Sequence, residues 1–486
     1  MKRHIHLALF AWFYVLFTVF SPLHVLAEGE LARDLTPHCI VSASGDPSVM
    51  TDRKVKTGWS CGNDLRQVRI TCPAQKDIGG LYVKWYREPK AYQIVAKRAD
   101  GSTCNTYARV ASDTSFQPLN QYFPLDRDVR TVDIVPQNID QRISELYIFG
   151  TGKLPEGLMQ WQAPYEKVDL MVFSAHQDDE LIFMGGTIPY YEKERQKKTS
   201  VVYMANCGRL RREEAMAGLW AMGLDHAPIF LNFEDVRFRT ADQCKDKWGE
   251  PNVMNALVRT LRQYRPEVVV THDLAGEYGH GAHQYTAAAV REAVMKSADA
   301  NFDLSSAQQY GTWQPKKLYL HLYAQHGLHM DWNQPLRAYD GKTALDMARI
   351  GYGKHVSQHS YYQVEDGGKY DNANFGLAFT TVGTDVQKND FFEHIVTVPA
   401  SDPDANAAPD ASIPLPSAQI PAQPEGKAAA SGLPPWGWFI ILLSVILLVL
   451  LALLWAYRCS LARKRRRLTR KRPTSSVRRT SQGHRR

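Results

Sequence analysis

The stretch Met171–Gly186, MVFSAHQDDELIFMGG, runs an apolar segment straight into a histidine followed, one residue on, by three consecutive acids. Residues 168–173, VDLMVF, are rich in β-branched and large apolar types and lack turn formers, so they read as a buried strand. The polar cluster then falls just past the strand's carboxyl end. In an open α/β sheet this is where ligands bind. His176, Asp178, Asp179 and Glu180 offer an imidazole and carboxylates, a donor set that suits Zn²⁺ when three protein ligands leave one position open.

A second stretch, Thr271–His283 (THDLAGEYGHGAH), repeats the arrangement about a hundred residues on. It follows the apolar run 268–270 and supplies His272, Asp273, Glu277, His280 and His283. Each cluster alone has an ordinary explanation. Acids after a strand commonly cap a helix N-terminus, and an HxxH pair is commonly two surface histidines. Two such clusters at strand ends of one parallel sheet, however, can converge on a single ion.

The run AHQDDE at 175–180, together with GEYGHGAH at 276–283, resembles the PIG-L/LmbE-like family of zinc-dependent de-N-acetylases, whose signatures are AHPDDE and a later HPDH. The similarity spans about 168–358. It implies that His176, Asp179 and His283 hold Zn²⁺, that Asp178 is the general base, and that His280 steadies the oxyanion or protonates the leaving amine. RLRREEAMAGLWAMG, from Arg209, is similar to the family's Arg-x-x-Glu helix, and HVSQ at 355–358 is also similar. Arg211 and His355 are accordingly expected to bind substrate, although a helix-surface ion pair is the commoner use of a single Arg at a position such as 211. Amide hydrolysis needs an activated water, a polarised carbonyl and a proton for the amine, and this set can supply all three. Two departures stand out. Gln177 replaces the usual Pro, and Gly281-Ala282 replace Pro-Asp. Neither removes a ligand, but both predict looser loops.

The rest of the 486-residue chain frames this centre. Its composition is ordinary for a globular protein, 44% hydrophobic and 22% charged, with room for more than one domain. The net charge of +8 is misleading, because thirteen Lys or Arg and no acid lie in 458–486. The remainder is mildly acidic, which argues against nucleic acid as a partner. Residues 1–27 have Lys2 and Arg3, an apolar run and Val25-Leu26-Ala27, the pattern of a signal peptide. Residues 436–457 hold an uncharged apolar run bounded by tryptophans, long enough to span a bilayer. The basic tail 458–486 then places the preceding chain outside the cell. Residues 400–435 read as a Pro/Ala-rich stalk. Cys39, Cys61, Cys72, Cys104, Cys207 and Cys244 form an even set in the exported part, which predicts disulfides, with Cys207–Cys244 as the leading pair.

Residues 28–157 contain short β-rich runs such as GLYVKWY from Gly80 and YQIVAKR from Tyr92, separated by turn residues, and predict a β-sandwich. The pattern from SASGDPS at Ser42 through Gly58-Trp59 to ISELYIFG at Ile143 is similar to galactose-binding-like (discoidin-type) modules. That resemblance implies either glycan-binding loops or a scaffold packed on the following domain. Residues 158–399 alternate strands and helices, which predicts a Rossmann-like, mostly parallel sheet. His321–Trp332 and Lys354–Gln363 are rich in His and aromatics, and read as a wall of the substrate cleft. The whole predicts a membrane-anchored ectoenzyme that removes acetyl from an N-acetylated amino sugar. The competing reading is a surface glycan-binding protein with a vestigial zinc site.

Overall fold

The computed structural model describes residues 30–61, 67–73, 77–138 and 140–396. The signal peptide, stalk, membrane span and basic tail expected from the sequence lie outside the described residues. Among the described residues no helix is long and apolar enough to cross a membrane.

The amino-terminal part is β-rich. One antiparallel sheet has the order β1 (Ile40–Ser42), β3 (Val68–Thr71), β8 (Val129–Pro136), β5 (Tyr92–Arg98), β6 (Thr103–Arg109). The other has the order β2 (Trp59–Ser60), β9 (Arg142–Phe149), β4 (Gly80–Trp85), β7 (Asn120–Pro124). Their facing side chains, among them Ile70, Ile94, Val132 and Ile134 from one sheet and Val83, Trp85, Leu146 and Ile148 from the other, form a single apolar cluster. This is the sandwich arrangement that alternating strands produce. Cys39 and Cys72 are disulfide-bonded beside it.

The second part is mixed α/β around a seven-stranded sheet of order β12 (Ile229–Glu234), β11 (Thr199–Asn206), β10 (Leu170–Ser174), β13 (Val268–Thr271), β14 (Lys317–His321), β16 (Asn374–Thr380), β15 (Gly327–His329). The pairings from β12 through β14 are parallel; β16 and β15 pair antiparallel at one edge. His321–Trp332, expected to line the cleft, instead builds this edge. The helices are α1 (Asp179–Ile182), α2 (Thr187–Pro189), α3 (Gly208–Ala221), α4 (Ala241–Trp248), α5 (Glu250–Tyr264), α6 (Gly281–Lys296), α7 (Leu304–Tyr310) and α8 (Ala344–Tyr352).

Strands β10 and β13 are buried on both faces, which is why they read as unbroken apolar runs. Leu170, Val172, Val268 and Val270 face a cluster shared with α3 and α8, while Met171, Phe173 and Val269 face one shared with α5 and α6. From β10 the chain moves outward to β11 and β12, then returns to β13 on the other side. The order therefore reverses between β10 and β13. A crevice opens at such a point beyond the strands' carboxyl ends, and both polar clusters begin there.

Cys207 and Cys244 are free thiols that border the same apolar cluster. The expected disulfide between them is not formed: Cys244 is a buried residue of α4 while Cys207 caps the start of α3. Burial pushes both thiols up.

Candidate metal centre and cleft

The first loop leaves β10 at Ser174 and is fixed within a few residues. The Ala175 amide donates to Nε2 of His272 (2.9 Å), joining the ends of β10 and β13. The Ser174 hydroxyl donates to the His176 carbonyl (2.7 Å). Glu180 is fully buried; it accepts from the Asp178 amide (3.1 Å) and the Tyr203 hydroxyl (2.6 Å). The third acid is thus a brace for the loop. Burial pushes its carboxyl up to about 7 against the pull of the Tyr203 hydroxyl. Asp178 itself has φ 153°, a strained conformation for a non-glycine residue and of a kind that collects at functional sites.

Three donor atoms from the two loops meet. His176 Nδ1 lies 2.9 Å from Asp179 Oδ2, His283 Nε2 lies 3.2 Å from the same oxygen, and the two ring nitrogens are 3.3 Å apart. Bonds of about 2.0–2.1 Å to a tetrahedral Zn²⁺ separate its ligands by about 3.3 Å. The spacing therefore fits one ion, and the nitrogen and oxygen donors are of the type zinc takes. Burial alone would push the Asp179 carboxyl up, but the facing His283 and His176 rings hold it well below the usual carboxylate range. Two other groupings have metal-ligand spacing, His176–His280–His283 and Asp179–His272–His283. His272 is a poor ligand, because its Nε2 already accepts from the Ala175 amide.

Beneath these rings lies Glu277, fully buried, which bonds to Nδ1 of His272 (2.9 Å), His283 (2.8 Å) and His321 (2.7 Å). Its bond to His283 Nδ1 fixes the ring so that Nε2 points its lone pair at the shared site, the usual carboxylate support of a metal-binding imidazole. Burial opposes ionisation of Glu277, yet the His272 ring and its fellow donors keep it ionised. The sequence reading noted Glu277 only as one possible ligand. Its supporting role depends on His321 in β14, forty-four residues away, which no local spacing reveals.

Asp178 is nearly buried and pairs with Arg211 (Nη2–Oδ1 2.6 Å). Burial and the neighbouring Asp179 raise its carboxyl, with Arg211 opposing them. Arg211 also donates to the Gln177 carbonyl (2.6 Å), so the side chain expected to bind substrate is engaged in holding the acid loop. His280 caps α6, its Nδ1 accepting from the Ala282 amide (3.3 Å). Burial, with the His176 and His283 rings close by, holds it down to about 4. A neutral His280 with Nδ1 accepting carries its proton on Nε2, and is therefore a donor.

His176, Asp178, Asp179, Arg211, His280 and His283 all line one cleft of about 300 Å³. Asp235, Arg237, Tyr278, Gln358 and Tyr362 complete it. The sequence reading missed Asp235 and Arg237, which follow the edge strand β12 in a loop without a motif. His355 is a correction: it is fully buried, stacked on Tyr352, and is not among the lining residues. Burial and the Arg211 charge hold it down to about 3. The segment it opens does contribute Gln358 and Tyr362.

The expected loosening at the two departures is also corrected. Gln177 is buried; its side chain donates to the Ala205 carbonyl (2.8 Å) and accepts from the Cys207 amide (3.1 Å), tying the loop to the end of β11. At Gly281 a Cβ would stand 2.3 Å from the Thr240 carbonyl oxygen. The missing side chain lets the start of α4 close against the start of α6.

The stretch that carries this centre resembles known proteins. Residues 171–294 match the family model described as "PIG-L: GlcNAc-PI de-N-acetylase". The chain is 29% identical over 185 residues to a 1D-myo-inositol 2-acetamido-2-deoxy-alpha-D-glucopyranoside deacetylase of Mycobacterium leprae (strain Br4923), covering 32% of this chain and 60% of that one. It is 30% identical over 178 residues to a protein of the same description from Frankia alni, covering 30% and 59%. The chain thus spans about 60% of the length of these curated relatives. A solved structure, an N,N'-diacetylchitobiose deacetylase from Pyrococcus horikoshii, aligns with 18% identity and a TM-score of 0.30, covering 40% of this chain and 74% of that one. Within this longer chain, the likeness to the PIG-L family lies in residues 171–294.

Proposed function

We propose that this protein is a zinc-dependent N-deacetylase acting on an N-acetylated amino sugar of the N-acetylglucosamine type, in a glycolipid, polysaccharide or glycoconjugate. The observation that carries the reading is the convergence of His176 Nδ1, Asp179 Oδ2 and His283 Nε2 within 2.9–3.3 Å of one another, with Asp178 and His280 lining the same cleft. The matched relatives are described as deacetylases of such a sugar.

Zn²⁺ held by His176, Asp179 and His283 supplies Lewis acidity toward the acetamide carbonyl and acidifies water. Asp178, a carboxylate lining the cleft beside Asp179, accepts the proton of the attacking water. Arg211 keeps that carboxylate aimed into the cleft. His280 presents Nε2–H to the developing oxyanion, and the proton that Asp178 takes from water passes to the departing amine. Tyr278 and Tyr362, half exposed at the cleft, offer flat faces to a sugar ring. The sandwich is proposed to be galactose-binding-like and to contribute to glycan recognition. The protein is further proposed to be exported and anchored by residues 436–457, with its basic tail in the cytosol.

Metal analysis combined with amine release from N-acetylglucosamine glycosides tests the reading. Wild type and Asp178→Asn should each hold one zinc per chain, and wild type alone should release amine. Bound zinc with no release from wild type would favour a glycan-binding protein instead.

A further inference from the structure

Helix α3 carries four consecutive charged residues, Arg211-Arg212-Glu213-Glu214, and they reach in different directions. Arg211 holds Asp178 and the Gln177 carbonyl. Glu214 accepts from the amide (2.9 Å) and hydroxyl (2.6 Å) of Ser357, in the segment that supplies Gln358 and Tyr362 to the cleft. Two residues correspond to about 200° of rotation around an α-helix, so Glu213 points away from Arg211, toward the sandwich.

Glu213 meets a set of partners there. Lys84 of β4 places Nζ 2.5 Å from Oε1, Arg209 places Nη1 2.9 Å from Oε2, and the Asn120 amide of β7 lies 3.3 Å from Oε2. Side-chain exposures of 14%, 8% and 6% for Lys84, Glu213 and Arg209 show that the group is shielded from water. Shielded charges interact strongly and leave a large penalty when one partner is lost. Nearby, the Tyr82 hydroxyl of β4 donates to the Met159 carbonyl (2.9 Å), and Leu119 joins the apolar cluster beneath α3. The helix that aims Asp178 is therefore held on its opposite face by the sandwich.

We propose that Lys84 is a positioning residue for the deacetylation site: through Glu213 it fixes helix α3, and through α3 it fixes the Arg211–Asp178 pair. The sandwich is then part of the catalytic apparatus as well as a neighbour of it. This rests on the deacetylase reading for its kinetic consequence but not for its structural one.

The test uses the full chain with Lys84→Met, Lys84→Arg, and Arg69→Ala, the last of which removes an ion pair to Asp133 on the outward face of β3, away from α3. Metal content, amide hydrogen exchange, and kcat and KM on an N-acetylglucosamine glycoside are measured for each. Lys84→Met should exchange faster at residues 208–216 and lose about tenfold in kcat, with KM within twofold and zinc content unchanged. Lys84→Arg should restore both, and Arg69→Ala should match wild type in both. Unchanged exchange at 208–216, or faster exchange with unchanged kcat, overturns the proposal. If wild type releases no amine, the deacetylase reading has failed by itself. In that case faster exchange in Lys84→Met at both 208–216 and 176–180 still supports the linkage, and its absence from 176–180 overturns it.

Discussion

The two loops that build the centre are held in opposite ways. The loop 175–180 is braced mainly by its own residues and the adjoining strand end: Glu180 bonds back to the Asp178 amide, Asp179 to the His176 amide, and Gln177 to Ala205 and Cys207. The loop 272–283 depends on one buried acid, Glu277, which gathers three imidazoles from two strand ends and a helix. The first arrangement spreads the support over several short-range bonds. The second concentrates it, so loss of one side chain there should be felt by the metal rather than by the loop alone.

The largest expected effect separates chemistry from binding in the first loop. Asp178→Asn should lower kcat by about 10²–10⁴ if Asp178 is the general base, while zinc content stays at the wild-type level. Parallel loss of metal would mean that Asp178 supports the ion instead. Next comes the second loop. Glu277→Gln leaves the proposed ligands in place but removes the charge beneath His283, and should weaken zinc affinity about 10–100-fold, read by competition with a chelating dye. Equal affinity in the two proteins would erase the contrast between distributed and concentrated support. The smallest effect tests the distributed side. Gln177→Ala removes two buried hydrogen bonds and should cost about 1–3 kcal/mol of stability by denaturant titration, with zinc affinity changed less than in Glu277→Gln.

Local patterns carried much of this architecture. Residues 168–173, 200–205 and 268–270 read as buried strands because both faces of a parallel sheet are covered, and 211–222 and 253–264 fall within or across the ends of α3 and α5. The meeting of His176, Asp179 and His283 also had a sequence signal, two similar clusters at two strand ends. What the sequence did not reveal depends on distant parts. Glu277 acquires its supporting role only when His321 arrives from β14. Gln177 looked like a softened loop because its bonding partners, Ala205 and Cys207, lie at the end of the adjoining strand β11, 28 and 30 residues on in the chain. His355 was placed on the cleft from its neighbours' likeness, but one turn of chain carries it under the surface and leaves Gln358 and Tyr362 outside. The proposed Cys207–Cys244 pair failed because sharing a core cluster does not bring two sulfurs into bonding geometry.

The bare backbone at Gly281 sets a limit for anyone who would redesign this protein. With the Thr240 carbonyl packed where a methyl group would stand, there is no slack between the first turn of α6 and the chain entering α4. Enlarging the cleft for a bulkier ligand by substitution at 281 would drive the two apart and carry His283 with them. Arg237, exposed on the same rim, is where such remodelling can begin; its neighbour Asp235 lies 3.9 Å from Nε2 of His176 and is better left in place.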